Sequence, residues 1–247
     1  VDPLGGLADL RARRVRFIDD AEERIREDYL RILRFFRFHA WYGDPFGGPD
    51  PEALAAIAAN LDGIETLSRE RIGAEMRKLL SAPEPAPSVA SMRMTGVLGR
   101  VVEGADDRAL GPLVSIEHHF HMSHDPMRRL ACIGGDGQGL RLSNGDKRRL
   151  ALYRDGMAGA VSAAELGYRH GAEVAIGILA LRAAQFEQPL ADAEVTVAQA
   201  AAEQEFPVKA ADLMPDYQGA ALGARLRELE SRWIASGFTL GKDQLLG

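Results

Sequence analysis

Apolar residues recur at spacings of three and four along most of the chain, the period of helices buried on one side. From about Ala21 to Tyr42, Ile25, Tyr29, Ile32, Leu33, Phe36 and Ala40 form one stripe, with Arg24, Glu27, Asp28, Arg31 and Arg34 opposite. This predicts one long helix. Gly43-Asp44-Pro45-Phe46-Gly47-Gly48-Pro49 interrupts the pattern. Pro51-Glu52 then opens a second helix, with Leu54, Ile57, Ala58 and Leu61 inward. A third follows Ser68, an N-cap residue. Its faces are Ile72, Met76, Leu79 and Leu80 on one side, and Arg71, Glu75 and Lys78 on another. Pro83, Pro85 and Pro87 end it. Further helical patterns cover Val89 to Gly99, the segment after Ser143-Asn144, and Ala158 to Phe186. In the last stretch Leu222, Leu226, Leu229 and Trp233 make a stripe. The N-terminal segment differs. Gly5-Gly6 reads as a loop, and Val15, Phe17 and Ile18 alternate with Arg14 and Arg16 as in a turn and short strand.

The 247 residues are 46% hydrophobic and 27% charged, enough for a real core and unlike a disordered chain. The net charge of −6 means that any nucleic-acid contact needs a local basic patch. Only Lys78, Lys147, Lys209 and Lys242 are lysines among the 30 basic residues, and arginine suits bidentate contacts to phosphates and base edges. Cys132 is the only cysteine, which excludes an intrachain disulfide and a multi-cysteine metal site and fits a reducing cytoplasm. No signal peptide is visible. The longest apolar run, near Val174 to Leu181, is far short of the ~20 residues of a membrane helix. A chain that begins with Val1 reads as a fragment or a processed product.

Chemistry concentrates on the charged face of the first long helix. Asp28 and Arg31 are three apart; as a solvated pair they would contribute about a few tenths of a kcal/mol. Phe35 and Phe38 share that face, so something covers it or stacks on it. A carboxylate acceptor beside a guanidinium donor also matches the edge of cytosine or adenine, where an amino donor adjoins a ring-nitrogen acceptor. Uracil and guanine present the reverse order. Arg141, Lys147, Arg148, Arg149 and Arg154 form the densest basic cluster, a candidate track for RNA phosphates or a solvated helix end. His118, His119, His121, His124 and Asp125 look like a metal site, but adjacent His118 and His119 diverge on any regular element. Gly134 to Gly139 lacks the context of a phosphate loop and reads as a linker.

The run Glu27-Asp28-x-x-Arg31-x-x-Arg34-x-x-Arg37, followed by Phe38-x-Ala40, resembles the nucleotide-selecting motif of class II tRNA nucleotidyltransferases. These are the CCA-adding enzymes, with the related bacterial poly(A) polymerases. Ser68, Glu70, Arg71, Ile72, Glu75, Lys78, Leu79 and Leu80 resemble the family's bracing helix. Gly6, Asp9 and Leu10 resemble its head–neck link; Asp125, Arg129, Leu130 and Ala131, and Leu140-Arg141-Leu142-Ser143-Asn144, resemble body segments. The resemblance implies that Asp28 and Arg31 template CTP or ATP, that Arg34 and Arg37 face base or triphosphate, and that Glu27, Arg71 and Glu75 support them. RNA would follow Arg141, Lys147, Arg148 and Arg149, and the tail would hold the tRNA elbow.

The fold implied is all-α, an elongated curved array of neck (21–82), body (83–186) and tail (187–247) after an irregular remnant of the head–neck linker (1–20). The family's head carries a Gly-Ser loop and an Asp-x-Asp strand that bind two Mg²⁺ ions. The sequence contains neither, so Mg²⁺ is expected in a missing head, with no metal and no transfer activity in this chain. The implied partners are tRNA, CTP and ATP. The alternatives are an ATP-selective poly(A) polymerase, a non-catalytic helical RNA-binding module on residues 141–154, and an HD-type hydrolase on His124-Asp125.

Overall fold

The computed structural model of the chain describes residues 5–135 and 137–247. Asp2-Pro3-Leu4 of the N-terminal segment and Asp136 of the glycine-rich loop lie outside the described residues. Among those described there are fifteen α-helices and three short 3-10 turns but no strand, so the chain is all-α. The first five helices are α1 (Gly6–Arg11), α2 (Ala21–Glu27), α3 (Leu30–Tyr42), α4 (Pro51–Ala59) and α5 (Arg69–Leu80). Next come α6 (Ala86–Met94), α7 (Val97–Val101), α8 (Leu110–His119), α9 (Pro126–Ile133) and α10 (Asn144–Ala158). The last are α11 (Ala163–His170), α12 (Ala172–Gln185), α13 (Asp192–Ala202), α14 (Gly219–Ala235) and α15 (Lys242–Leu246).

The chain divides into two compact units. One runs to Met157 and adds Ala180–Pro189; the other comprises Ala158–Leu179 and Leu190–Gly247. In the first, α3 packs on α5 and α6, α2 on α4, α5 on α9, and α6 on α8. Its core includes Ile25, Leu33, Phe36, Ile57, Met76, Leu79, Val89, Met92, Leu113 and Leu130. In the second, Val208, Leu213, Leu229, Trp233, Ile234 and Leu245 form the centre, and Leu222 and Leu226 of the expected stripe pack partly buried against it. α11 meets α13 with backbone in contact: a Cβ on Gly167 would lie 2.2 Å from the Ala198 carbonyl oxygen.

Side-chain caps set several helix starts. Asp20 accepts from the Glu23 N–H (2.8 Å), Asp50 from Ala53 (3.1 Å), Ser68 from Arg71 (3.4 Å) and Ser143 from Asp146 (3.1 Å). Ser143 therefore caps α10.

Four expectations change. The helix predicted over Ala21–Tyr42 is two helices, separated at Asp28, whose φ of −156° and ψ of 102° are extended. The N-terminal segment contains a helix, α1, and Val15–Ile18 is irregular rather than a strand, since no other described segment pairs with it. On α4 the buried positions are Ala53, Ala56 and Ile57, while Ala58 is exposed. An alanine-rich helix carries too little pattern to choose its face, and packing on α2 chooses it. The Val89–Gly99 pattern is split between α6 and α7 at Gly96, whose φ of 82° ends the helix in the left-handed region.

The most demanding packing is ionic. The Glu117 carboxylate of α8 accepts from Arg128 Nε (2.7 Å) and Arg129 Nε (2.8 Å) of α9, and all three side chains have no exposed surface. Arg129 Nη1 also donates to the carbonyls of Leu80 (2.7 Å) and Ala82 (2.5 Å), at and just beyond the end of α5. Arg128 donates to the Ser123 carbonyl. The surplus positive charge is thus solvated by orphan carbonyls of a helix end. Glu117→Ala leaves two buried guanidinium groups without their anion, and should cost about 3–5 kcal/mol, the usual penalty for breaking a buried pair from one side. Urea unfolding of the two proteins checks this; a loss under 1 kcal/mol would mean that water enters and replaces the carboxylate.

Candidate functional site

The break between α2 and α3 builds the site. Asp28 leaves the helix, and its carboxylate accepts from the Leu30 N–H at 3.2 Å. Arg71 Nη2, from α5, donates to both Asp28 oxygens at 3.1 Å, and Arg34 Nη1 lies 3.9 Å from Oδ2. Arg31 turns back instead. Its Nη1 donates to the Arg24 carbonyl (2.7 Å), in the last turn of α2, and to Glu27 Oε2 (2.5 Å). That bond is the main cause holding the Glu27 carboxyl below its ordinary value. Tyr29, between them, lies over Gly63: a Cβ there would fall 1.9 Å from the Tyr29 ring. Asp28 and Arg31 therefore do not pair with each other, as i,i+3 neighbours on one helix would. Each is oriented by a third group and stays partly open, with 28% and 27% of its side chain exposed.

Arg24, Arg31 and Arg34 line a cavity of about 270 Å³ with Phe17, Phe35 and Phe38. Phe17 stacks on Phe35 with centroids 5.4 Å apart at 11°. The face anticipated to need a cover has one, supplied by the irregular segment. Arg24 and Phe17 were not singled out from the sequence, because what recruits them is the fold of Val15–Ile18 over α3.

Arg37 is placed differently from Arg31 and Arg34. It donates through Nε to Glu75 Oε2 at 2.6 Å, both side chains being largely buried, and its guanidinium lies 4.2 Å over the Phe38 ring. Glu75 and Arg71, one turn apart on α5, thus reach two different points of the Asp28–Phe38 stretch. Lys78 takes a weaker place, 3.6 Å from the other Glu75 oxygen.

The basic cluster separates into two kinds. Lys147 and Arg148 are exposed and have no partner among the described residues, and Arg141 lies 3.5 Å from Glu70. Arg149 is anchored: its Nε donates to Asp125 Oδ2 at 2.6 Å, where Tyr153 also donates at 2.7 Å. Arg154 donates to the Gly134 and Gly135 carbonyls. Burial acts to raise the Asp125 carboxyl, but bonds from Tyr153, Arg149 and the Met127 N–H outweigh it and leave it below the ordinary carboxylate value. Asp125 also caps α9. In the histidine cluster, His118 lies 3.4 Å from Glu84 and its ring is 6.5 Å from that of His124. Among the described residues no three His, Cys, Asp or Glu side chains are grouped to hold a metal ion, and no helix is long and apolar enough to cross a membrane.

Residues 49–108 match the family model described as the probable RNA and SrmB-binding site of polymerase A. The chain is 49% identical over 79 residues to CCA tRNA nucleotidyltransferase 1, mitochondrial, of Homo sapiens, covering 32% of this chain and 18% of that protein. It is 36% identical over 106 residues to the multifunctional CCA protein of Burkholderia mallei, covering 43% and 25%. The matched stretches thus span a quarter or less of these curated relatives. The fold is similar to that of the Bacillus stearothermophilus CCA-adding enzyme solved with CTP, with a TM-score of 0.65 at 21% identity over 96% of this chain and 64% of that one. It is likewise similar to the Thermotoga maritima CCA-adding enzyme solved with tRNA, with a TM-score of 0.65 at 13% identity over 99% and 66%.

The two kinds of basic residue differ in what their loss does. Arg149→Ala strips the buried Asp125 carboxylate of a donor and should destabilise by about 1–3 kcal/mol, whereas Arg148→Ala should leave stability unchanged. The sign with pH follows from the depressed Asp125 value. The Arg149 contribution is fully present above the unfolded carboxylate value, about 3.9, and fades as pH falls through the lower folded value. Urea midpoints of both variants at pH 7 and near pH 3 check it. Equal midpoints for wild type and Arg149→Ala at pH 7 would contradict the anchoring.

Proposed function

We infer that this chain, which belongs to the class II CCA-adding tRNA nucleotidyltransferase family, supplies the nucleotide-selecting and tRNA-binding part of such an enzyme. The observation that carries the reading is the acceptor and donor at the Asp28 break, each held by a second residue. Arg71 orients the Asp28 carboxylate, and Glu27 with the Arg24 carbonyl orients Arg31. A site held this way loses little freedom when a base arrives. Asp28 accepts the amino hydrogen of cytosine or adenine, and Arg31 donates to the neighbouring ring nitrogen. Arg34, close to Asp28 and on the cavity wall, is suited to base or phosphate. Arg37 serves by fixing α3 to α5 through Glu75.

The residues present do not suit a catalytic metal. Glu27 and Asp28, the carboxylates at the break between α2 and α3, are both engaged by guanidinium groups. In this reading Mg²⁺ and the transfer step belong to residues outside these 247, and the chain by itself extends no RNA. Its own part is to bind and to discriminate. Lys147 and Arg148, exposed and without a partner among the described residues, are suited to meet tRNA phosphates.

The complete enzyme tests the base-reading pair. Asp28→Ala removes both the acceptor and its repulsion of a carbonyl, so UTP and GTP should gain on CTP and ATP by about 1–3 kcal/mol of discrimination, the range of one bidentate base contact. Arg31→Ala should lower kcat/KM for CTP and ATP together. The measurement is kcat/KM for all four nucleotides; a uniform fall in Asp28→Ala would make Asp28 a scaffold residue. Reversing Lys147 and Arg148 together should weaken tRNA binding by this chain and flatten its salt dependence by about two units of slope. Unchanged affinity and slope would leave that helix end merely solvated.

A further inference from the structure

Two ion pairs aim the Asp28 and Arg31 side chains, but neither fixes the backbone between them. Both pairs are partly open to water, where such pairs are soft and screened. Of the two residues between acceptor and donor, Leu30 is buried and already belongs to α3. Tyr29 spans the break itself: its φ of −59° and ψ of −18° are helical, whereas Asp28 before it is extended. Its carbonyl accepts from the Ile32 N–H at 3.1 Å, so the Tyr29 ring and the first turn of α3 move together.

The ring is seated on Gly63, in the 3-10 turn Leu61–Thr66. A Cβ there would lie 1.9 Å from Tyr29 Cδ1, 2.0 Å from Cε1 and 2.4 Å from Cγ, so only glycine admits the ring. The turn is a fixed surface. Gly63 and Ile64 are buried, the Thr66 hydroxyl donates to the Gly63 carbonyl at 2.7 Å, and Arg100 of α7 pairs with Asp62 at 3.1 Å and with Glu65. Contact this close meets a steep repulsive wall, so the backbone of the turn sets where the ring comes to rest. The chain on either side of the ring carries the acceptor and the donor.

We propose that Tyr29 and Gly63 are positioning residues for nucleotide selection: the ring seated on the glycine fixes the angle between α2 and α3, and with it the separation of the Asp28 carboxylate and the Arg31 guanidinium. The proposal rests on the nucleotide-selecting reading above and deepens it. In this arrangement neither residue touches the nucleotide. A base edge carries its amino donor and ring-nitrogen acceptor at a fixed separation. A shift in the spacing of their partners therefore penalises the matched bases and spares the mismatched ones, which make neither bond.

The test is a size-swap cycle of Tyr29→Ala, Gly63→Ala and the double variant, with Tyr29→Phe as the conservative change. In the complete enzyme, kcat/KM for CTP and ATP relative to UTP and GTP should fall about tenfold in Tyr29→Ala, the effect of a misplaced pair. Tyr29→Phe keeps the ring and should keep the wild-type ratios. Gly63→Ala should lose selectivity while the ring is present and add nothing in the Tyr29→Ala background, where the new methyl has room. Wild-type ratios in Tyr29→Ala overturn the proposal. So does an equal fall for all four nucleotides, the mark of a merely structural ring. Tyr29 is partly exposed, so its single variant keeps the fold and decides the matter should Gly63→Ala fail to fold. Urea unfolding of the 247-residue chain runs the same cycle without a nucleotide. Gly63→Ala should lower the midpoint with Tyr29 present and far less in the Tyr29→Ala background; equal shifts in both overturn the seating of the ring. Unchanged ratios in Asp28→Ala remove the base-reading pair and this proposal with it, whereas unchanged ratios in Tyr29→Ala alone remove only the positioning role.

Discussion

One fully buried carboxylate, Glu117, is shared by two fully buried guanidinium groups, and much of the first unit depends on that arrangement. Two arginines against one glutamate leave a positive charge that a low-dielectric interior does not tolerate alone. The carbonyls of Leu80, Ala82 and Ser123 take it up. Because two of those acceptors lie at the C-terminal end of α5, solvating the charge also fixes where α5 ends. The same helix carries Arg71 and Glu75, so the ionic core and the candidate site are tied through one rigid element.

From α5 the constraint passes to α3. Arg71 reaches Asp28 and Glu75 reaches Arg37, so α5 grips the Asp28–Arg37 stretch at two points about two and a half turns apart. The grip replaces what a continuous helix would have done. An uninterrupted helix would set Asp28 against Arg31, satisfying both and leaving neither for a ligand. The break separates them, gives each a third partner, and keeps each partly open. The energetic cost of the break is offset locally: the Asp28 carboxylate takes the Leu30 N–H, and Arg31 takes an orphan carbonyl of α2.

Electrostatics on this chain is decided by partners rather than by totals. A net charge of −6 coexists with cavities lined mainly by arginine, because most carboxylates are consumed elsewhere in caps and ion pairs. Among five basic residues close in sequence, Arg149 and Arg154 are structural and Lys147 and Arg148 have no partner among the described residues, although nothing in their identity distinguishes them. The difference lies in Asp125 and the Gly134–Gly135 carbonyls, which α9 and the following turn bring to one side of α10.

The all-α class, the buried stripe of α3 and the inward face of α5 were legible in the sequence, because periodic burial is a local property written at fixed spacing. So was the covering of Phe35, since an aromatic ring on a charged face implies a partner. The break at Asp28 was not legible. No Gly or Pro marks it, and the residue that holds the Asp28 carboxylate there, Arg71, is 43 residues away. Nor was the buried face of α4, where alanines alone give no direction, or the division of the basic cluster. Sequence periodicity determines which residues seek burial. Which charges pair, and which stay open to a ligand, depends on what distant elements bring within three ångströms, and only the tertiary structure decided that.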